Sequence, residues 1–279
     1  MTLPNIPSLE PATVAFLKIA EATGVATLLV GACARDLFLP TESSFPTLRR
    51  TLDIDFGVLV DSWPSYHRLR DAVLAHPDFS AALGTARLHG FLYRNEVEID
   101  LIPFGEIVPS DGTLPCWPET FHKQMNLLGY EEAFATAHQR EIGGVQVRTL
   151  TPEAFVVLKL FAWEDRPQRT KDAQDIAFVL KEYTRLPGRQ ELLWEPENLD
   201  LLERIPDYER QAVHLLGRRI AQDFRPSTRE RLRLLLQRES EGNSLRLARQ
   251  MHRHFDLDSA IRALSDLGDS LRSLPVDFD

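Results

Sequence analysis

Cysteine is almost missing from this chain: Cys33 and Cys116 are the only two in 279 residues. Two cysteines build neither a disulfide framework nor a four-ligand metal knuckle, so packing must hold the core. A reducing cytoplasm is the expected setting. Long apolar runs are missing too; nothing approaches the roughly 20 residues of a membrane helix. The opening "MTLPNIPSLEP" lacks the basic and apolar regions of a secretion signal, so no membrane association is expected. There is no internal repeat and no low-complexity tract. Positive charge is short overall: the formal net charge is −9, which argues against a broad nucleic-acid-coating surface. Lysine is absent from residues 201–255, yet that segment holds twelve Arg against five Glu and two Asp, leaving it at +5 and the rest of the chain at −14. A basic segment on an acidic body is either a set of solvated helix faces or a surface for a polyanion.

What is present reads as a mixed α/β lobe over residues 1–150 and a helical lobe over 151–279. "SLEPATVAFLKIAEATGV" predicts a helix with Ser8 as cap, Pro11 in the first turn and Gly24 at the end. "ATLLVGA" predicts a strand and "CARDLFL" a helix. Residues 40–50 read as a polar loop, and "WPSYHRLRDAVLAH" as an amphipathic helix with Tyr66, Leu69 and Val73 on one side. "TARLHGFLYR" and "NEVEIDLIPFG" read as neighbouring strands. Residues 105–120 read as a long loop, and "EIGGVQVRTL" as a hairpin turning on Gly143-Gly144. From Thr151 the pattern is helical, with breaks near "LPGRQ" and "FRPST".

Acids in a strand carry the chemistry. "TLDIDFGVLV", residues 51–60, is apolar enough to be buried, yet Asp53 and Asp55 sit two apart and so point to the same face. Aspartate is a poor strand former. Two like charges side by side call for protonation, a basic partner, water or a metal. Hard oxygen ligands suit Mg²⁺ or Mn²⁺. In "NEVEIDLIPFG", Glu96, Glu98 and Asp100 share one face, with Asp100 nearest the apolar end. If that strand pairs beside residues 52–58, Asp100 joins Asp53 and Asp55 in a metal site; otherwise the segment is an edge strand with a wet acidic face.

Three further features bear on a phosphate-bearing substrate. In "LLVGACARDLFL" a strand runs into Gly31 and Ala32 and a helix follows with Arg35 in its first turn. Such a turn presents amide N–H groups to a phosphate, or it is a tight turn without a ligand. "PEAFVVLKLFAWEDR" is apolar nearly all round except for Lys159, whose ammonium needs an anion, a triphosphate or a carboxylate, or else snorkels to water. After it, Arg166, Arg169 and Lys171 form a basic cluster, and Asp172 and Asp175 share a helix face. Asp172 falls early in a helix that Thr170 could cap, where a carboxylate suits the macrodipole. His252 and His254 in "HRHF" read as surface residues rather than ligands.

In combination these segments resemble the DNA polymerase β-like nucleotidyltransferase superfamily: a glycine turn (Gly31-Ala32), a DxD strand (Asp53-Ile54-Asp55), then a third acid (Ile99-Asp100-Leu101). "KLFAWEDRPQRTKDAQDI" is similar to the lysine helix and Arg/Lys-Asp-x-x-Asp segment of the AbiEii/AbiGii type of toxin nucleotidyltransferase. The resemblance spans residues 25 to 180. It implies an α+β fold, a nucleotidyltransferase-type mixed sheet with flanking helices followed by a helical lobe. It implies Asp53, Asp55 and Asp100 on metal, Gly31, Ala32, Arg35 and Lys159 on the NTP, and Asp172 as an essential acid. Lys159 and Asp172 would reach an interlobe cleft. The activity implied is transfer of a nucleoside monophosphate from an NTP to tRNA or another acceptor, by a toxin restrained by a protein antitoxin. Ala32 departs from the Ser or Gly common at that turn. "VGACARDL" also resembles the "GGxxRD" of CCA-adding enzymes. An aminoglycoside-type small-molecule acceptor and a nucleotide-binding interaction protein without turnover are the other readings.

Overall fold

The computed structural model describes residues 9–39, 53–82, 89–109, 112–114 and 125–272. The expected cap Ser8, the loop 40–50 and Cys116 lie outside the described residues. The chain divides into two units, Met1–Thr151 and Pro152–Asp279.

The first unit runs α1 (Leu9–Ala22), β1 (Ala26–Val30), α2 (Gly31–Phe38), β2 (Asp53–Leu59), α3 (Trp63–Ala75), β3 (Phe79–Ala81), β4 (Gly90–Tyr93), β5 (Val97–Phe104), β6 (Thr113–Leu114), β7 (Met125–Asn126), α4 (Tyr130–Ala135), β8 (His138–Ile142) and β9 (Val145–Thr149). Apolar spacing makes α1: Leu9, Ala12, Phe16, Leu17 and Ala20 fall on one face and all are buried. The helix stops before Gly24, whose φ of +71° suits glycine. In α3, the Ser62 hydroxyl accepts from the Ser65 amide and caps the helix, while Tyr66, Leu69 and Val73 are buried.

Seven strands form one mixed sheet in the order β3-β4-β5-β2-β1-β9-β8. β2 runs parallel to β5 and antiparallel to β1. β5 is therefore an interior strand, with β4 on its other side, and the edge-strand reading of "EVEID" is corrected. The alternation that resembled a wet edge arises because one face of β5 is packed and the other carries the acids. The packed face holds Ile54, Phe56 and Val58 of β2 with Ile99 and Leu101 of β5, all fully buried. α1 covers it through Phe16 against Phe56, ring centroids 4.6 Å apart. Burying a side chain of this size contributes about 1.5–3 kcal/mol. The β8–β9 hairpin turns on Gly143 and Gly144, both at positive φ. The segment expected as one long loop contains β6, which pairs with β7 in a separate two-stranded ribbon.

The second unit is helical: α5 (Pro152–Asp165), α6 (Thr170–Glu182), α7 (Leu199–Arg204), α8 (Tyr208–Asp223), α9 (Pro226–Glu241), α10 (Arg246–Gln250) and α11 (Leu257–Ser270), with short 3₁₀ turns between residues 183 and 198. Thr170 is the first residue of α6 rather than its cap; Arg169 holds the cap position. Leu215, Leu216 and Ile220 of α8 are buried with Leu232, Leu235 and Leu236 of α9 and Leu264 and Leu267 of α11. The buried Glu153 is held by Arg189 through bonds of 2.8 and 3.1 Å and by the Tyr183 hydroxyl. Burial raises the Glu153 carboxyl, but Arg189 and Tyr183 outweigh it and lower it below the usual range. Among the described residues no helix is long and apolar enough to cross a membrane.

Candidate active site

Asp53 and Asp55 lie on β2, and both are half-buried. The parallel register sets Asp55 directly opposite Asp100 and Asp53 opposite Glu98. Opposed residues on paired strands share a face, so Asp53, Asp55, Asp100 and Glu98 form one acidic patch on the sheet. Further along the same face the sheet closes over with aromatics. Phe104 packs against Tyr130 and Phe134 of α4, centroids 5.6 and 5.7 Å apart. Gly57, two residues past Asp55, leaves room for the Phe104 and Tyr130 rings. The acids thus mark the open end of a face whose other end is packed.

The glycine turn is built against Asp55. Val30 pairs with Asp55 across β1 and β2, and the next residue, Gly31, begins α2 at φ +67°. A Cβ on Gly31 would stand 2.0 Å from Asp55 Oδ2. The carboxylate therefore lies against the backbone at the start of α2, a helix without a side-chain cap. Glycine is required twice here, once for the positive φ and once for the close approach.

The other two residues expected at this turn point inward. Ala32 is buried, and Arg35 is only 1% exposed. The Arg35 guanidinium donates to Asp36 Oδ1 from Nε at 2.9 Å and from Nη2 at 2.7 Å. Cys33, also buried, points its thiol at the Asp53 carbonyl at 3.4 Å. Burial, and after it the charges of Asp55, Asp36 and Asp53, push that thiol far above its ordinary range. It remains protonated and inert.

Sequence reasoning missed His89. It is 5% exposed, and its Nε2 lies 3.9 Å from Asp100 Oδ2. Gly90 pairs with Asp100 across β4 and β5, which brings the preceding residue to the acid. Arg148 was missed as well. It pairs with Leu28 on β1, and its guanidinium sits 4.9 Å from the centre of the Phe134 ring.

In the helical unit, Lys159 of α5 meets Asp172 and Asp175 of α6. Its Nζ lies 2.8 Å from Asp172 Oδ1 and 2.9 Å from Asp175 Oδ2. Arg169 Nε is 3.8 Å from Asp172 Oδ2. Burial lowers the ammonium's pKa, but Asp175 and then Asp172 overcome it and leave it raised. The lysine is thus a cation, 13% exposed, bracketed by two buried acids.

Carboxylates are the donor type a hard divalent cation prefers, and the register puts Asp53, Asp55, Asp100 and Glu98 on one face of adjoining strands. Among the described residues, no group of three or more His, Cys, Asp or Glu side chains stands close enough together to hold a metal ion. No family model matches the chain, and no curated protein sequence matches it. Among solved structures it is similar to an antigenic nucleotidyltransferase-like protein from Paracoccidioides brasiliensis, with a TM-score of 0.42, 19% identity, and coverage of 74% of this chain and 93% of that one. It is also similar to the antibiotic-resistance factor ANT(2'')-Ia, with a TM-score of 0.38, 14% identity, and coverage of 71% of this chain and 94% of that one.

Proposed function

We propose that the chain is a metal-dependent nucleotidyltransferase that moves a nucleoside monophosphate from an NTP to a hydroxyl acceptor. The observation that carries this reading is the register of Asp55 opposite Asp100, with Asp53 two residues behind on the same face. Asp53, Asp55 and Asp100 would hold Mg²⁺ or Mn²⁺. When bound, the cation supplies charge neutralisation for the triphosphate. The Gly31 turn seats phosphate through backbone amides, because the Ala32 and Arg35 side chains are buried. Arg35, buried and paired with Asp36, belongs to the helix that follows the turn.

The acceptor oxygen attacks the α-phosphorus. The new P–O bond forms as the bond to the β-phosphate oxygen breaks, and pyrophosphate leaves. Asp100 would assist metal binding or take the acceptor proton, with His89 Nε2 3.9 Å from its Oδ2. The protein's contribution is alignment and electrostatics. The family resemblance assigns Lys159 to the triphosphate and Asp172 to an essential acid. It also extends the reading to a tRNA acceptor, a toxin role and an antitoxin partner.

The test is incubation with α-labelled NTPs and Mg²⁺, offering total RNA and, separately, aminoglycosides. Labelled RNA supports the RNA acceptor; labelled aminoglycoside supports the small-molecule one. Nucleotide binding without transfer to any acceptor would favour a binding protein that does no chemistry.

A further inference from the structure

The arginines of residues 201–255 do two different jobs. Several are tied into ion pairs that join helices. Arg210 forks onto Asp266 at 2.8 and 2.9 Å, and Arg231 and Arg238 both reach Glu164, whereas Arg233 pairs with Glu230 within α9. Others line a cavity, where Arg218 is paired as well, to Asp200.

We infer that the helical unit carries a binding site for a phosphate-bearing ligand, in the cavity that Arg218 of α8, Arg229 of α9 and Arg272, just past α11, line together. The cavity measures about 440 Å³, within the roughly 300–1,000 Å³ of small-ligand sites. It opens beside a tight helix crossing: a Cβ on Gly217 of α8 would stand 2.4 Å from the Ser270 Cβ of α11.

The lining is held in place before any ligand arrives. His214 Nδ1 lies 2.6 Å from Ser270 Oγ, and its Nε2 lies 3.3 Å from Asp266 Oδ1. Arg218 is gripped by Asp200 at 2.7 and 2.5 Å and donates to the Glu197 carbonyl at 2.8 Å. A second cavity, about 270 Å³, continues past the same His214 and Arg218 and adds Arg204 and Asp200. The two spaces share His214 and Arg218 and together are lined by four arginines and two aspartates, with Arg272 3.4 Å from Asp269 and Arg204 3.8 Å from Asp200. By formal count the combined lining is positive, four arginines to two aspartates. Guanidinium forks match phosphate oxygens bidentately, which a lysine cannot do, and this segment uses arginine alone. Adjoining chambers suit linked phosphates better than a single one. The ligand is a free polyphosphate or the backbone of a nucleic acid.

This site lies wholly in the helical unit and does not depend on Asp53, Asp55 or Asp100. The experiment measures binding of inorganic triphosphate and of a short single-stranded RNA to the full chain in EDTA. At least one of the two should bind. Asp55→Asn should bind as wild type does, which separates this site from the acidic patch. The Arg229→Glu/Arg272→Glu double variant should bind about tenfold more weakly or worse. Arg253→Glu, an exposed arginine away from the cavity, should change little. A melting curve matching wild type shows that the double variant is folded; if it is not, Arg272→Glu alone replaces it, since that side chain is 68% exposed. Triphosphate binding points to a free polyphosphate, and RNA binding alone points to a backbone. Absence of binding by both probes, or equal weakening in Arg253→Glu, overturns the proposal.

Discussion

The Asp55 carboxylate lies against the backbone of Gly31, so closely that a methyl group at Gly31 would stand 2.0 Å from Oδ2. The glycine turn and the acidic strand therefore form one object. Any side chain at Gly31 pushes Asp55 out of line with Asp100.

Gly31→Ala should cut nucleotidyl transfer by about 100-fold or more, because a small displacement of a positioning group is that costly. Gly24→Ala is the matched control. It has a similar φ of +71°, and nothing lies within 4 Å of the added carbon. It should cost about 1–2 kcal/mol in backbone strain and leave transfer intact. Equal activity of the two variants would separate Gly31 from the site.

Lys159→Met should destabilise the helical unit by about 3–5 kcal/mol, because it strands Asp172 and Asp175 in a buried setting. Urea unfolding measures this. Lys159→Met/Asp172→Asn/Asp175→Asn should recover much of the loss, since no uncompensated charge remains.

Two ion pairs give stability a pH dependence at opposite ends of the scale. The raised Lys159 pKa means that its stabilisation is complete below its ordinary value and is lost as pH climbs through the raised one, so unfolding eases in strongly alkaline solution. Burial pushes the Asp266 carboxyl up, but hydrogen bonds from Arg210 and His214 more than offset this and hold it at about 2. Its contribution is present above the ordinary value of 3.8 and is lost as pH falls from there toward 2. Melting temperature against pH should show both flanks, and Arg210→Ala should flatten the acid one.

Much of this arrangement was legible in the chain. Period-two alternation put Asp53 and Asp55 on one face, and the same alternation picked out Asp100. Strand order was not legible. β5 looked like an edge because its acids alternate with apolar residues, whereas β2 and β4 flank it. His89 went unread because it reaches Asp100 through antiparallel pairing, a relation that no local pattern encodes. The oily helix announced that Lys159 needed an anion, and the structure supplies two from the next helix. The arginine-rich segment could not disclose its pairings, because partners such as Arg210 and Asp266 lie on different helices and far apart in sequence.

The central claim is that acids on two adjoining strands hold one divalent cation for the chemistry. Titrating Mn²⁺ into wild type, Asp55→Asn and Asp100→Asn, with bound ion read by electron paramagnetic resonance, tests it most directly. Wild type should bind Mn²⁺ in an NTP-dependent way, and both variants should lose that binding. Equal binding by all three proteins would contradict it.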